Sequence, residues 1–189
     1  MISAILAECA YTRQRQAFFE RLKIPVQIED IQDDYMPKSD TLPRAYGLQV
    51  AQRQWELLKN AFDDPKSQCW GMSTLIYCGR RVLMCAQGVD HDSKIVRLMS
   101  GRTHRVLTSV VTELRDRIIH KQIETKVHWK HLSLSECHLY TQSLQKSDLH
   151  PHDLAALSGQ FPHFIKAVQG CPGNLNGVPA YALKNMLEN

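Results

Sequence analysis

Two periods of hydrophobicity run through the chain. Leu48, Ala51, Trp55, Leu58 and Phe62 are spaced 3, 4, 3 and 4 apart, the apolar face of an amphipathic helix that Asp63-Asp64-Pro65 should end. Arg13 to Lys23 also reads as a helix, with Phe18 and Leu22 on one face. Pro25 to Glu29 alternates apolar and polar residues as a short strand does, and an acidic loop, Asp30 to Asp34, follows it. Further on, Ser73–Tyr77 and Arg81–Met84 flank Cys78-Gly79-Arg80 as a hairpin would. Asp90 to Met99 reads as a helix stopped at Gly101, while Val106, Thr108 and Val110 alternate as in a strand, as do Val127 and Trp129. Ser133-Leu134-Ser135-Glu136 has the form of a capping box for a helix ending near Leu144. Phe164 to Val168 is a further strand, and Pro179 suits the first turn of a closing helix.

Helices and strands mixed along the chain, with hairpins among them, predict an α/β (mixed α+β) fold and exclude a purely parallel sheet. At 189 residues the expectation is one domain, 1–189, at most divided into two lobes that share a core. A hydrophobic fraction of 43% and a charged fraction of 22% fit a globular chain. The longest uncharged run, Ser67 to Gly79, is too short and polar to cross a bilayer, and MISAILAE does not read as a secretion signal. The six cysteines form no CxxC pair, so reduced thiols and a cytoplasmic location are expected. The net charge of +4 is spread among 19 acids with no basic stripe, which does not favour a nucleic-acid-binding module. A site for one polyanionic small ligand, a nucleotide or other phosphorylated small molecule, fits that charge equally well, and a plain solvated surface fits it best.

No GxGxxG or GxxxxGK[ST] loop is present. His128 and His131, three apart on a strand, would face opposite ways and make a poor metal site. His150 and His152 share a face if extended and Asp153 adds an acid beside them, a candidate metal or phosphate site, but Pro151 argues for a loop. The segment Ser100-Gly101-Arg102-Thr103-His104 gathers hydroxyls, a guanidinium and an imidazole between a helix end and a strand start. Arg102 can bind phosphate or an acid, and His104 can hydrogen-bond a base or sugar. The alternative is a polar connection with no ligand.

Ser100 to Thr108 resembles the SGxTHxVxT signature of the Maf family, the septum-formation-type nucleoside triphosphate pyrophosphatases. Thr12-Arg13-Gln14-Arg15 followed by Phe18 to Pro25 is similar to the family's SPRR-plus-helix segment. Asp33 to Asp40 with Pro43-Arg44 resembles its next loop, closest to the branch acting on 7-methyl-GTP. Gln169-Gly170 and Gly177-Val178-Pro179 match its carboxy-terminal G…GLP pattern. The resemblance covers essentially the whole chain. It implies a twisted mixed sheet flanked by helices, two lobes around a cleft, and hydrolysis of a nucleoside triphosphate to monophosphate and pyrophosphate with Mg²⁺ or Mn²⁺, often in a homodimer. It also implies that Arg13, Arg15, Ser100, Arg102, Thr103 and His104 bind the nucleotide.

The sequence departs from that pattern where the chemistry should be. One arginine of the SPRR pair is Gln14, the loop's Asp-Glu is Asp34-Tyr35, and the lysine of the next helix falls on Gln54. The aspartate of the family's DT or DQ motif is Ser73, Lys-Pro is Cys85-Ala86, and the late DKAGxYxIQG motif survives only as the final glycine of His150–Gly159. A serine is neither a general base at neutral pH without help nor a strong Mg²⁺ ligand. The expectation is a nucleotide-binding pseudoenzyme with weakened or lost catalysis. The alternative is an active enzyme with relocated groups drawn from Asp33, Asp34, Asp90, Asp92 and Asp153, with Asp34 as metal ligand and His150 or His152 as base.

Overall fold

A computed structural model describes residues 3–7, 12–31, 37–38, 40–62, 67–83, 96–146 and 164–188. Strand β1 (Ser3–Ala7), helix α1 (Thr12–Arg21) and strand β2 (Val26–Glu29) form a βαβ unit in which β1 and β2 are parallel. Helix α2 (Pro43–Ala61) crosses to β3 (Ser67–Cys78), which pairs parallel to the other side of β1. From there the sheet is antiparallel: β4 (Arg81–Val82), β5 (Thr103–Leu114), β6 (Arg117–Trp129) and β7 (Ile165–Gln169), in the order β2-β1-β3-β5-β6-β7 with β4 beside β3. Helix α3 (Leu134–Lys146), a 3₁₀ turn (Pro172–Asn176) and helix α4 (Ala180–Glu188) complete the fold. This is the mixed α/β fold that the periodicity predicts, with the mixed sheet flanked by helices that the family resemblance implies. Among the described residues, no helix is long and apolar enough to cross a membrane.

Alternation along β3 assigns each layer its core. Trp70 and Met72 point to one face, where they pack with Phe19 of α1 and Leu183 and Met186 of α4. Cys69 points to the other, against Ala51, Trp55 and Leu58 of α2. Gly71 is what lets α2 lie on the sheet, since a Cβ there would stand 1.9 Å from the Ala51 carbonyl oxygen. A third cluster joins Ile76, Val106, Val127 and Trp129 of the sheet to Val96, Met99 and Cys137.

Several boundaries differ from the sequence reading. The uncharged run from Ser67 is already strand, so β3 is longer than expected and β4 shorter, with the turn at Gly79-Arg80. Helix α2 begins at Pro43, where a missing N–H costs nothing. Of the helix expected over 90–99, residues 96–99 are helical and the rest lies outside the described residues. The largest omission is the β5–β6 hairpin. Its turn residues, Arg115 and Asp116, have φ of 50° and 60°, a conformation usually announced by Asn-Gly. The capping box is present, with the Ser133 amide donating to Glu136 Oε2 at 2.8 Å, but α3 runs on to Lys146.

Candidate functional site

The middle of β3 gathers side chains from α1 and α2 on its two faces. Arg15, only 2% exposed, projects from α1 onto one of them. It donates Nη1–H to the Met72 carbonyl (2.9 Å), Nη2–H to Thr74 Oγ1 (3.2 Å) and Nε–H to the Gly177 carbonyl (3.5 Å). Thr74 Oγ1 in turn lies 2.9 Å from Thr108 Oγ1. This guanidinium therefore ties α1, β3 and the GVP turn together. Arg13, two residues earlier, is exposed.

On the opposite face, Ser73 Oγ donates to the Gly47 carbonyl of α2 at 2.6 Å, and Gln54 Oε1 accepts the Met72 amide at 3.2 Å. The two positions where the family resemblance expects aspartate and lysine thus hold neutral side chains spent on the α2–β3 contact. Ser73 is 6% exposed. Farther along this face, Tyr77 donates its hydroxyl to Glu124 Oε2 at 2.5 Å, while Arg44 (3.2 Å) and Arg105 (3.3 Å) pair with the same carboxylate. Burial, followed by the Glu124 hydrogen bond and charge, pushes the Tyr77 hydroxyl up to about 12. For Glu124, burial pulls the pKa upward, but the Tyr77 hydrogen bond and the two arginines outweigh it and hold the carboxyl below its usual value. The four residues are far apart in sequence, and only the shared parity of Tyr77, Arg105 and Glu124 on the paired strands signals that they converge.

The SGRTH segment is divided by the fold. Ser100 Oγ accepts the Leu132 amide at 2.7 Å, and Thr103 Oγ1 lies 2.8 Å from His128 Nδ1. Arg102 is exposed. His104 is fully buried beside Trp129, and neither ring nitrogen meets a hydrogen-bond partner among the described residues. Burial, with the charge of His128 adding to it, lowers its pKa to about 3. The structure therefore places the His104 ring inside the core rather than at the surface. His131 follows the end of β6 rather than sharing the strand with His128. Asp33, Asp34, Asp90, Asp92, His150, His152 and Asp153 lie outside the described residues. Among the described residues, no group of three His, Cys, Asp or Glu side chains is placed to hold a metal ion.

The family model described as "Maf-like protein" matches residues 10–189. The chain belongs to the Maf family. It is 30% identical over 182 residues to the dTTP/UTP pyrophosphatase of Wolbachia pipientis subsp. Culex pipiens, covering 94% of this chain and 90% of that relative. It is 28% identical to the nucleoside triphosphate pyrophosphatase of Ehrlichia ruminantium strain Welgevonden, covering 93% and 91% of the two chains. Matches of this length carry the Maf resemblance across both the β3 centre and the GVP turn.

Proposed function

We propose that this Maf-family chain binds a nucleoside triphosphate and hydrolyses it weakly or not at all. The observation that carries the reading is the Ser73–Gly47 hydrogen bond, at 2.6 Å. A hydroxyl donated to a helix carbonyl cannot at the same time be a metal-binding carboxylate, and Gln54 adds no positive charge to offset a triphosphate. The described residues do not fit a Mg²⁺ or Mn²⁺ ion, because none of their acids sits on β3 and no three ligands converge. The relatives' names support the nucleotide as ligand: dTTP and UTP for the Wolbachia protein, nucleoside triphosphates for the Ehrlichia one. Loss of one group acting in the transition state commonly lowers rates about 10²–10⁴-fold, so several substitutions compound to near silence.

The test is pyrophosphate release from UTP, dTTP and 7-methyl-GTP with Mn²⁺, run beside the Wolbachia relative and accompanied by equilibrium binding. The expected result is saturable binding with turnover at least about a hundredfold below the relative. Turnover equal to the relative's would overturn the proposal. If that turnover vanished in Asp34→Ala or Asp153→Ala, the relocated-acid enzyme would be established instead.

A further inference from the structure

The loop that carries the SGR sequence and the segment entering α3 enclose a cleft of about 700 Å³, within the size range of small-molecule sites. Arg97, Arg102 and His131 line it, and Leu132 and Cys137 provide an apolar floor. Among the described residues, no carboxylate lines it. Neither guanidinium has an ion pair or hydrogen bond among the described residues.

The walls are fixed by the backbone. Ser100 Oγ accepts the Leu132 amide (2.7 Å), the Gly101 amide donates to the Lys130 carbonyl (2.9 Å), and the Arg102 amide donates to the Met99 carbonyl (3.0 Å). Gly101 has φ +66°, and a Cβ there would stand 3.1 Å from His131 Nδ1, so glycine permits both the turn and the approach of the imidazole. The nearby acid, Glu136, is already held by the Ser133 amide (2.8 Å) and hydroxyl (2.7 Å). Two guanidinium groups on the rim of one cleft whose backbone walls are fixed offer a phosphate-bearing anion charge-assisted donors from both sides of the SGR turn.

The cleft is separate from the β3 centre. Ser109 is the ladder partner of Ser73, and the seven residue steps from Arg102, just before β5, to Ser109 span about 23 Å. One triphosphate placed on β3 does not reach across that distance.

We propose that this cleft is a second binding site, for a compact phosphate-bearing anion such as pyrophosphate or the phosphate end of a phosphorylated metabolite, held by Arg97 and Arg102 with His131 beside them. It goes beyond the nucleotide reading and does not depend on it. The test is calorimetric titration of the full chain with inorganic pyrophosphate, without added metal, on the native protein and on Arg97→Gln, Arg102→Gln and the double variant. Circular dichroism verifies that each variant is folded.

Each single variant is expected to weaken pyrophosphate binding about tenfold or more, and the double variant to abolish it. Binding of the native protein should fall steeply with added NaCl. UTP binding, measured on Arg97→Gln, should persist, and its loss there together with pyrophosphate binding would overturn the second site. Pyrophosphate affinity unchanged by the double substitution, or no binding at millimolar concentration, would overturn the second site. UTP binding absent from both native and variant protein would instead remove the nucleotide proposal and leave this one standing.

Discussion

The Tyr77 hydroxyl and the Glu124 carboxylate meet at 2.5 Å across two strands, from β3 to β6, on the sheet face that also carries Ser73. Arg44 of α2 and Arg105 of β5 offset the charge of the carboxylate, and the Tyr77 hydroxyl of β3 adds a hydrogen bond. Tyr77→Phe removes a hydrogen bond to a charged acceptor and should cost about 1.5–3 kcal/mol, lowering Tm by several degrees. The folded-state pKa of Tyr77 is raised to about 12, so its stabilisation is complete below about pH 10 and fades as pH rises toward 12. A spectrophotometric tyrosine titration should show one fewer late-ionising group in Tyr77→Phe. An unchanged curve would contradict the assignment.

Arg15 satisfies two main-chain carbonyls, Met72 and Gly177, from a buried position. Arg15→Ala leaves them without this donor and should cost about 3 kcal/mol or more. Arg15→Lys should recover little of it, because an ammonium cannot reproduce the fork that spans three acceptors. Urea midpoints of the two variants provide the measurement, and full rescue by lysine would show that charge alone matters at this site.

Ser73→Asp places a carboxylate where a hydroxyl now donates to the Gly47 carbonyl. Two acceptors facing each other at that distance in a buried site should destabilise the protein by about 2 kcal/mol or more. Ser73→Ala should cost only about 1 kcal/mol. Thermal denaturation distinguishes the two, and a Ser73→Asp protein as stable as the native one would mean that the site readily accepts the family's acid.

His104 is neutral in the folded state, its pKa lowered to about 3 by burial. The unfolded chain takes up the proton near pH 6.5, so stability falls as pH drops from about 6.5 toward 3. His104→Asn should flatten this dependence. Urea midpoints for both proteins at pH 7.5 and 5.0 provide the comparison, and parallel slopes would show that His104 is not the titrating group.

What was legible in the sequence followed from short-range physics. The 3, 4, 3, 4 spacing from Leu48 to Phe62 gave α2, since one helical stripe must be apolar to pack. Ser133 and Glu136 marked the start of α3 because free helix amides need partners within a few residues. The β5–β6 hairpin was hidden because its turn lacks glycine and the first half of β6 is largely polar, the side chains from Arg117 to Lys121 being mostly exposed. Serine at position 73 suggested a missing metal ligand, but not that the hydroxyl is committed to Gly47.

The sequence by itself determined the fold class, the family and the substitutions along the acidic and lysine positions, because these depend on residue identity and spacing. The tertiary structure decided which of those residues meet. It turned Arg15 inward as a structural tie, buried His104, joined Tyr77 to Glu124, and left Arg97 and Arg102 facing one cleft. Those outcomes depend on strand register and on which face of the sheet each helix covers, long-range relationships that no local period encodes.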